Sequence, residues 1–394
     1  MSLELPTEFN LEPHPRILPM LGEINLSQPR CVAELVDNAV DAFLSSKRSG
    51  ARVDGPEVSV NLPTFDSPSA KLIVLDNGPG MDLLTLEKAV KAGWTGNDPI
   101  SSLGMFGMGF NIATARLGVV TRVWTTREGD AEWYGLEINF EKLVRQGHFR
   151  TNPLTRPKQD RFQHGTEVSI ETLKPEHRQW FAKAGNRSKL AQEFSRAYAA
   201  MLRSNGVPIS FRLKVNGNLV QGHNHCVWGG EGNPNREVPT SRYGVINAHQ
   251  PVDVRLPERP FCVACWQWLP VGEAKCSACQ SEKDVVVRSR RVYGWLGIQR
   301  YLSAADYGID FIRNGRKIEI AIKGRSLKST SCWFRAASRI APPRHPLHNS
   351  NGAMAMTEVT GFSIVAGPVT EVIAPGSGAL YPATVDSQEV MPTW

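Results

Sequence analysis

The sequence predicts an α/β (α+β) sandwich over roughly its first 200 residues, then a strand-rich second domain interrupted by a cysteine quartet. Three observations predict it. Short apolar or alternating runs at 57–62, 71–76, 119–126, 133–140 and 166–173 read as strands, and they are interspersed with helical periodicity at 26–48, 82–92, up to Leu117 and at about 187–204. Strand-like runs start afresh beyond residue 208 (ISFRLKVNG, DVRL, VYGWLGIQ, DFIRNGRKIEIAI). Four cysteines gather in two close pairs between these later strands.

Composition bounds the rest. The 394 residues, 41% hydrophobic and 21% charged, suffice for two or three domains with sizeable cores. No apolar run is long enough to span a membrane. The stretch Met1 to Arg16 carries acids and prolines without an apolar centre, so no secretory signal is expected and the default location is cytoplasmic. The net charge of +7 favours anionic partners such as nucleotides or nucleic acid.

The elements follow in order. Residues 1–25 read as a lead-in. In the first long helix, Val32, Leu35, Val36, Ala39, Val40 and Phe43 share one side. Glu34, Asn38 and Asp41 project from the opposite side within roughly 60° of one another. Pro29 suits the first turn. The buried strand ending at Asp76 runs into DNGPGM (76–81), where Gly78 and Gly80 allow a sharp turn and leave room for a flat ligand against backbone. A carboxylate there can accept a hydrogen bond from an exocyclic amine such as adenine's. In LGMFGMGF (103–110), Gly104, Gly107 and Gly109 let N–H groups converge, and the helix that follows adds its unsatisfied N-terminal donors. Together they suit phosphates. No Walker A pattern occurs, and the segment before the glycines is a polar loop, unlike a dinucleotide-binding fingerprint. Each piece alone has an ordinary alternative: a solvated helix face, a strand-ending turn, a flexible loop.

Taken in order, ELVDNAVDA, DNGPGM, LGMFGMGF and the later HGTEVSI resemble the GHKL superfamily of ATPases (gyrase, heat-shock chaperone, histidine kinase, MutL) over about residues 20–205. The resemblance implies a Bergerat-type sandwich of helices on a mixed sheet, spanning 26–205, that binds and hydrolyses ATP with Mg²⁺. It makes Glu34 the general base, Asn38 the magnesium anchor and Asp41 a supporting acid. It makes Asp76 the adenine reader with Thr166 beside it, and Gly78, Gly80 and Met81 the floor of the adenine pocket. Gly104, Phe106, Gly107, Met108, Gly109 and Phe110 would form the phosphate-contacting hinge, and 93–103 the mobile lid. Phe110 and Asn111 stand where related lids carry a basic residue or Ser, so slow turnover is expected.

The segment 308–318 is similar to the second domain of the MORC, MutL and chaperone branches, placed here at 206–325. In those branches a basic residue of that domain serves the terminal phosphate; Arg313, Arg316, Lys317 and Lys323 are the choices. Histidine kinases fit less well, because no phosphoacceptor helix is seen and Glu34 is present. Cys262, Cys265, Cys276 and Cys279 form two C-x₂-C knuckles ten residues apart. That spacing predicts a structural Zn²⁺ ribbon at 260–282, with Trp266 and Trp268 as its core or a contact surface. Cys31, Cys226 and Cys332 are scattered.

Residues 326–394 turn rich in Ser, Pro, Gly, Ala and Thr without periodicity. They are expected to be an irregular or disordered tail, from a truncation or a frame shift near residue 325. Three functions remain open: an ATP-dependent homodimeric clamp on DNA or a DNA-bound partner, a chaperone-like ATPase acting on proteins, and a nucleotide-binding regulatory module with negligible turnover.

Overall fold

The computed structural model describes residues 12–51, 53–94, 102–104, 107–204, 207–225, 227, 236–240, 244–299, 303 and 305–323, and the backbone of Gly361–Pro368. In chain order the elements are α1 (Ile17–Leu21), α2 (Gln28–Arg48), β1 (Glu57–Asn61), β2 (Leu72–Asp76), α3 (Leu83–Val90), α4 (Gly109–Leu117), β3 (Gly118–Thr126), β4 (Glu132–Asn139), α5 (Phe140–Gln146), β5 (Pro153–Pro157), β6 (Gly165–Leu173), α6 (Pro175–Ala182), α7 (Ala184–Ala197), α8 (Ala199–Leu202), β7 (Arg212–Val215) and β8 (Asn218–Leu219). They continue as β9 (Glu237–Thr240), β10 (Gly244–Asn247), β11 (His249–Cys262), β12 (Gln267–Trp268), β13 (Val285–Gln299), β14 (Gly308–Arg313), β15 (Arg316–Ile322) and β16 (Gly361–Pro368). The chain divides into two compact units. One contains Leu103–Ser195, Ile209–Gln221 and the chain before Asp98; the other contains Arg196–Pro208, the chain from Gly222 onward and Ser102.

The first unit is a sheet of eight strands in the order β5-β4-β3-β6-β2-β1-β7-β8 with helices packed on it. Its pairings are antiparallel except that of β1 with β7. This is the mixed α/β sandwich of Bergerat type that the sequence leads one to expect. Helix α2 forms where the apolar stripe and the caps agree. Ser27 precedes it in extended conformation, Pro29 occupies its first turn, and Lys47 and Arg48 sit in its last turn, where a cation suits the helix dipole. Val32, Val36 and Val40 are fully buried, and Leu35, Ala39 and Phe43 nearly so. A second cluster joins Leu18, Leu86, Ala115, Val123, Leu136, Ile138, Phe140 and Leu143.

Several elements depart from the sequence reading. The helix expected at 187–204 is two, α7 and α8, separated at Tyr198, which leaves helical geometry at φ −102°, ψ 15°. Helices α5 and α6 and strand β5 lie between the expected elements. The segment 209–217, read as the start of the second domain, instead supplies β7, whose Arg212–Val215 pair in parallel with Glu57–Val60 of β1. Nothing local in FRLKV names its neighbour; pairing across some 150 residues of sequence decides it.

The second unit is strand-rich. It holds the hairpin β9–β10 and a six-stranded sheet in the order β12-β11-β13-β16-β14-β15. Its core joins Val252, Ile309 and Phe311, with Val254, Val292, Leu296, Ile318 and Ile322 packed against them. The tail expectation needs correcting at one place. Residues 361–368 form β16, parallel to β13 and antiparallel to β14. GFSIVAGP is too short to give a periodic signal, and its two strand neighbours supply the order. The rest of 326–394 lies outside the described residues.

Candidate functional site

In the first unit, β2 ends at Asp76, which sits in register with Thr166 of β6. Thr166 in turn faces Thr125 of β3. Three neighbouring strands therefore bring one carboxylate and two hydroxyls together. Asp76 is buried, and its Oδ1 accepts from the N–H of Gly78 at 2.7 Å and of Thr166 at 3.2 Å. Among the described residues no hydrogen bond engages Oδ2. Burial pushes the carboxyl up to about 6, although the N–H groups of Gly78 and Thr166 and the nearby His164 pull it down.

The turn beyond Asp76 is fixed by backbone approach. A Cβ on Gly78 would lie 2.7 Å from Asp76 Oδ1, and one on Gly80, at φ +71°, would lie 2.0 Å from the Thr126 carbonyl. Met81 N–H donates to Thr125 Oγ1 at 2.8 Å, and its side chain packs against the cluster around Leu86 and Val123. Two contributors escaped the sequence reading. Thr125, whose hydroxyl also donates to the Gly165 carbonyl at 3.2 Å, is found through strand register alone. His164 precedes the Gly-Thr pair, and its Nδ1–H donates to the Gly78 carbonyl at 2.7 Å.

On α2 the three polar positions are not equivalent. Asn38 is exposed and Glu34 half-buried, whereas Asp41 is buried. Asp41 accepts from Leu103 N–H at 2.6 Å and Gly104 N–H at 2.8 Å, one on each oxygen. It thereby pins the glycine-rich segment to the helix. Gly107, at φ +61°, passes so close to Trp94 that a Cβ would meet the Trp94 carbonyl at 2.0 Å. Met108 precedes α4 without a side-chain cap, and no acid occupies the first turn, so that turn's N–H groups remain donors. Gly109 opens α4 against Glu34, whose Oε2 would lie 2.1 Å from an added Cβ. Phe110 is half-buried against the Leu86 cluster, and Asn111 is buried with its Nδ2 lacking a partner. Phe106 and the lid positions 95–101 lie outside the described residues.

The family model described as histidine kinase-, DNA gyrase B-, and HSP90-like ATPase matches residues 26–172. That stretch is a GHKL-superfamily ATPase domain. Its homologues are MORC-like. Protein MICRORCHIDIA 2 of Arabidopsis thaliana is 30% identical over 130 residues, which is 32% of this chain and 20% of that protein. Protein MICRORCHIDIA 3 of the same plant is 34% identical over 110 residues, 27% of this chain and 17% of that protein. The matched part of this chain thus spans about a fifth of those relatives' length.

The second unit holds the other candidate chemistry. Cys262, Cys265, Cys276 and Cys279 present sulfurs that all lie within 4.8 Å of one another. Cys262 and Cys279 are 3.5 Å apart and Cys265 and Cys276 3.3 Å. Tetrahedral zinc with Zn–S bonds of about 2.3 Å needs sulfurs roughly 3.8 Å apart, so the quartet fits a closed structural Zn²⁺ site. Burial opposes ionisation of Cys276, yet the N–H groups of Cys279 and Ala278 and the Cys265 thiol outweigh it and bring this thiol to about 7. Leu269 completes a small core with Cys262 and Cys276. Trp268 is half-buried beside Phe261, their rings 4.9 Å apart.

The four basic positions differ too. Lys317 is buried and donates to Asp310 Oδ2 at 2.6 Å. Burial opposes the charge on Asp310, but His225 and Lys317 hold its carboxyl well below the usual carboxylate range. Buried Arg313 donates to the Ser102 carbonyl at 2.6 Å. Arg316 lies over the Tyr198 ring, and exposed Lys323 over that of Tyr307. Among the described residues, no helix is long and apolar enough to cross a membrane.

Proposed function

We propose that the chain binds ATP with Mg²⁺ on its first unit and hydrolyses it slowly, driving lid closure and homodimerisation as a clamp on DNA or a DNA-bound partner. The observation that carries the ATP reading is Asp76. Its Oδ1 is fixed by two backbone donors while Oδ2 is left to accept from a purine's exocyclic amine, over a turn that only glycine can make. Thr166 and Thr125 supply hydroxyls beside it. The glycine-rich segment and the first turn of α4 supply N–H donors for phosphates.

Asn38 is the residue to hold magnesium, which takes oxygen ligands and neutralises phosphate charge. Glu34 is the base for the attacking water. Asp41 acts through the backbone it holds rather than on the nucleotide. The cysteine quartet is a structural zinc site, because four thiolates leave no open position for substrate. The basic net charge, the strand-rich second unit and the cysteine quartet favour a DNA-directed clamp. Phe110–Asn111 in the hinge favours a second reading, a nucleotide-dependent module with negligible turnover.

Titration calorimetry with ATP and Mg²⁺ tests the central claim. Wild type should release heat that ADP competes away, and Asp76→Asn should weaken binding at least tenfold, about 1.4 kcal/mol. Absence of heat from folded wild type overturns the reading. Light scattering with a non-hydrolysable ATP analogue tests dimerisation.

A further inference from the structure

Strands β11 and β13 are 14 and 15 residues long, but β16 pairs only with Gly294–Gln299 of β13. The remaining length of β13, Val285–Tyr293, pairs with β11 alone among the described strands, and β12 adds two residues at the far end. The result is a two-stranded ribbon that runs past the sheet to the cysteine quartet. Strand alternation sorts its side chains. Near the sheet, Val252, Val254 and Val292 belong to the unit's core. Farther out the same face changes character, with Arg290 opposite Leu256, Arg288 opposite Arg259 and Val286 opposite Phe261, which is itself opposite Trp268.

A core strand would continue apolar here. Instead the face carries three arginines and two aromatic rings. The Arg288 guanidinium lies 5.0 Å from the Phe261 centroid and that of Arg290 5.5 Å from Trp268, while Arg259 Nε donates to the Leu269 carbonyl at 3.1 Å. Stacking on a ring fixes the plane of a guanidinium through its face, whereas its N–H donors lie on the edge. The strands' other charges cancel and leave the excess with the three arginines of this face. Asp253 is held by Arg291 at 2.6 and 2.7 Å, Arg255 is exposed, and Glu258 sits in the bulge between Leu256 and Arg259.

We propose that this arginine face of the ribbon is a duplex nucleic-acid contact, its guanidiniums taking backbone phosphates. Guanidinium edges match phosphate oxygens in bidentate fashion. A two-stranded ribbon is of a size that a major groove about 12 Å wide admits. The inference rests on the DNA-directed reading above and names the element that would carry it. It requires no nucleotide, so its failure leaves the ATP site untouched, and loss of ATP binding leaves the ribbon untouched.

The test uses the full chain loaded with zinc, without ATP, and a fluorescent mixed-sequence DNA duplex followed by anisotropy over a series of salt concentrations. Each phosphate contact contributes about 0.9 to the slope of log affinity against log salt. The Arg288→Gln/Arg290→Gln pair should lower that slope by about 1.8 at unchanged zinc content, and Arg288→Lys/Arg290→Lys should keep it. If the glutamine pair loses zinc, Arg290→Gln alone carries the test, with a drop of about 0.9. The proposal is overturned if wild type shows no salt-dependent duplex binding or if the glutamine variants keep the wild-type slope. It is also overturned if a glutamate-rich peptide of matched charge binds more tightly than the duplex, which would mark an acidic protein as the partner.

Discussion

Asp76 is a carboxylate that the free protein holds at a cost. Its pKa is raised by burial from the ordinary 3.8 to about 6, so the folded state binds its proton more tightly than the unfolded one. Stability from this group is then full below about pH 4, falls as pH rises through about 6 and is level beyond, a loss of roughly 3 kcal/mol. Asp76→Asn keeps the Oδ1 acceptor for Gly78 and Thr166 but removes the charge. The variant's Tm should therefore gain on wild type between about pH 4 and 6, and the gap should then stay constant. Nucleotide affinity should run the other way, because an amine donor favours the ionised carboxyl; calorimetry should find binding that weakens as pH drops below about 6. Glu34 belongs to a different step. Glu34→Ala should retain ATP affinity while phosphate release falls about 10²- to 10⁴-fold. Equal turnover in wild type and variant would instead identify a module without hydrolysis.

Between residues and domains, glycines decide what each element can do, and two of them separate function from folding. A Cβ at Gly109 would meet Glu34 Oε2, the movable end of a side chain, whereas one at Gly80 would meet the Thr126 carbonyl carbon and oxygen inside a paired strand. Gly109→Ala should hold its Tm near wild type and lose turnover as Glu34 is displaced. Gly80→Ala, strained further by φ +71°, should lose about 2 kcal/mol or more and its ATP binding with it. Thermal unfolding and phosphate release measured on both variants check the contrast. The same scale explains what was legible. Helix α2 was readable because its stripe and Pro29 agree, and the quartet because C-x₂-C spacing is itself geometry. The sharp turn after Asp76 was legible from Gly78 and Gly80, where an added Cβ would collide. Asp41 was expected as a supporting acid beside a nucleotide, and its bonds to Leu103 and Gly104 were not legible because they depend on where a distant segment returns. Thr125 gave no local signal, since only strand register puts it beside Thr166. The signals of α5 were present in Asn139, which caps its start, and Gly147, left-handed at its end, yet a seven-residue helix barely shows a period.

At the scale of the whole chain, the second unit does not begin where strand-like sequence resumes. Strand β7 closes the first sheet beside β1, and it does so with more than ladder bonds. Phe211, Leu213 and Val215 are all buried, and the Phe211 ring lies 6.4 Å from that of Phe43 in α2. Asn216 accepts from Leu62 N–H at 2.7 Å and donates to the Leu62 carbonyl at 3.0 Å. Burying a side chain such as Phe, Leu or Val contributes roughly 1.5–3 kcal/mol. Losing three of them would remove much of the roughly 5–15 kcal/mol that holds a domain folded, and β1 would be left as an open edge. A fragment of residues 12–221 should therefore melt cooperatively and bind ATP. A fragment of residues 12–205, cut where the sequence reading placed the boundary, should melt far lower or aggregate and fail to bind. Equal melting temperatures and equal affinities for the two would mean that β7 is an accessory to the first sheet and that the nucleotide site stands without it.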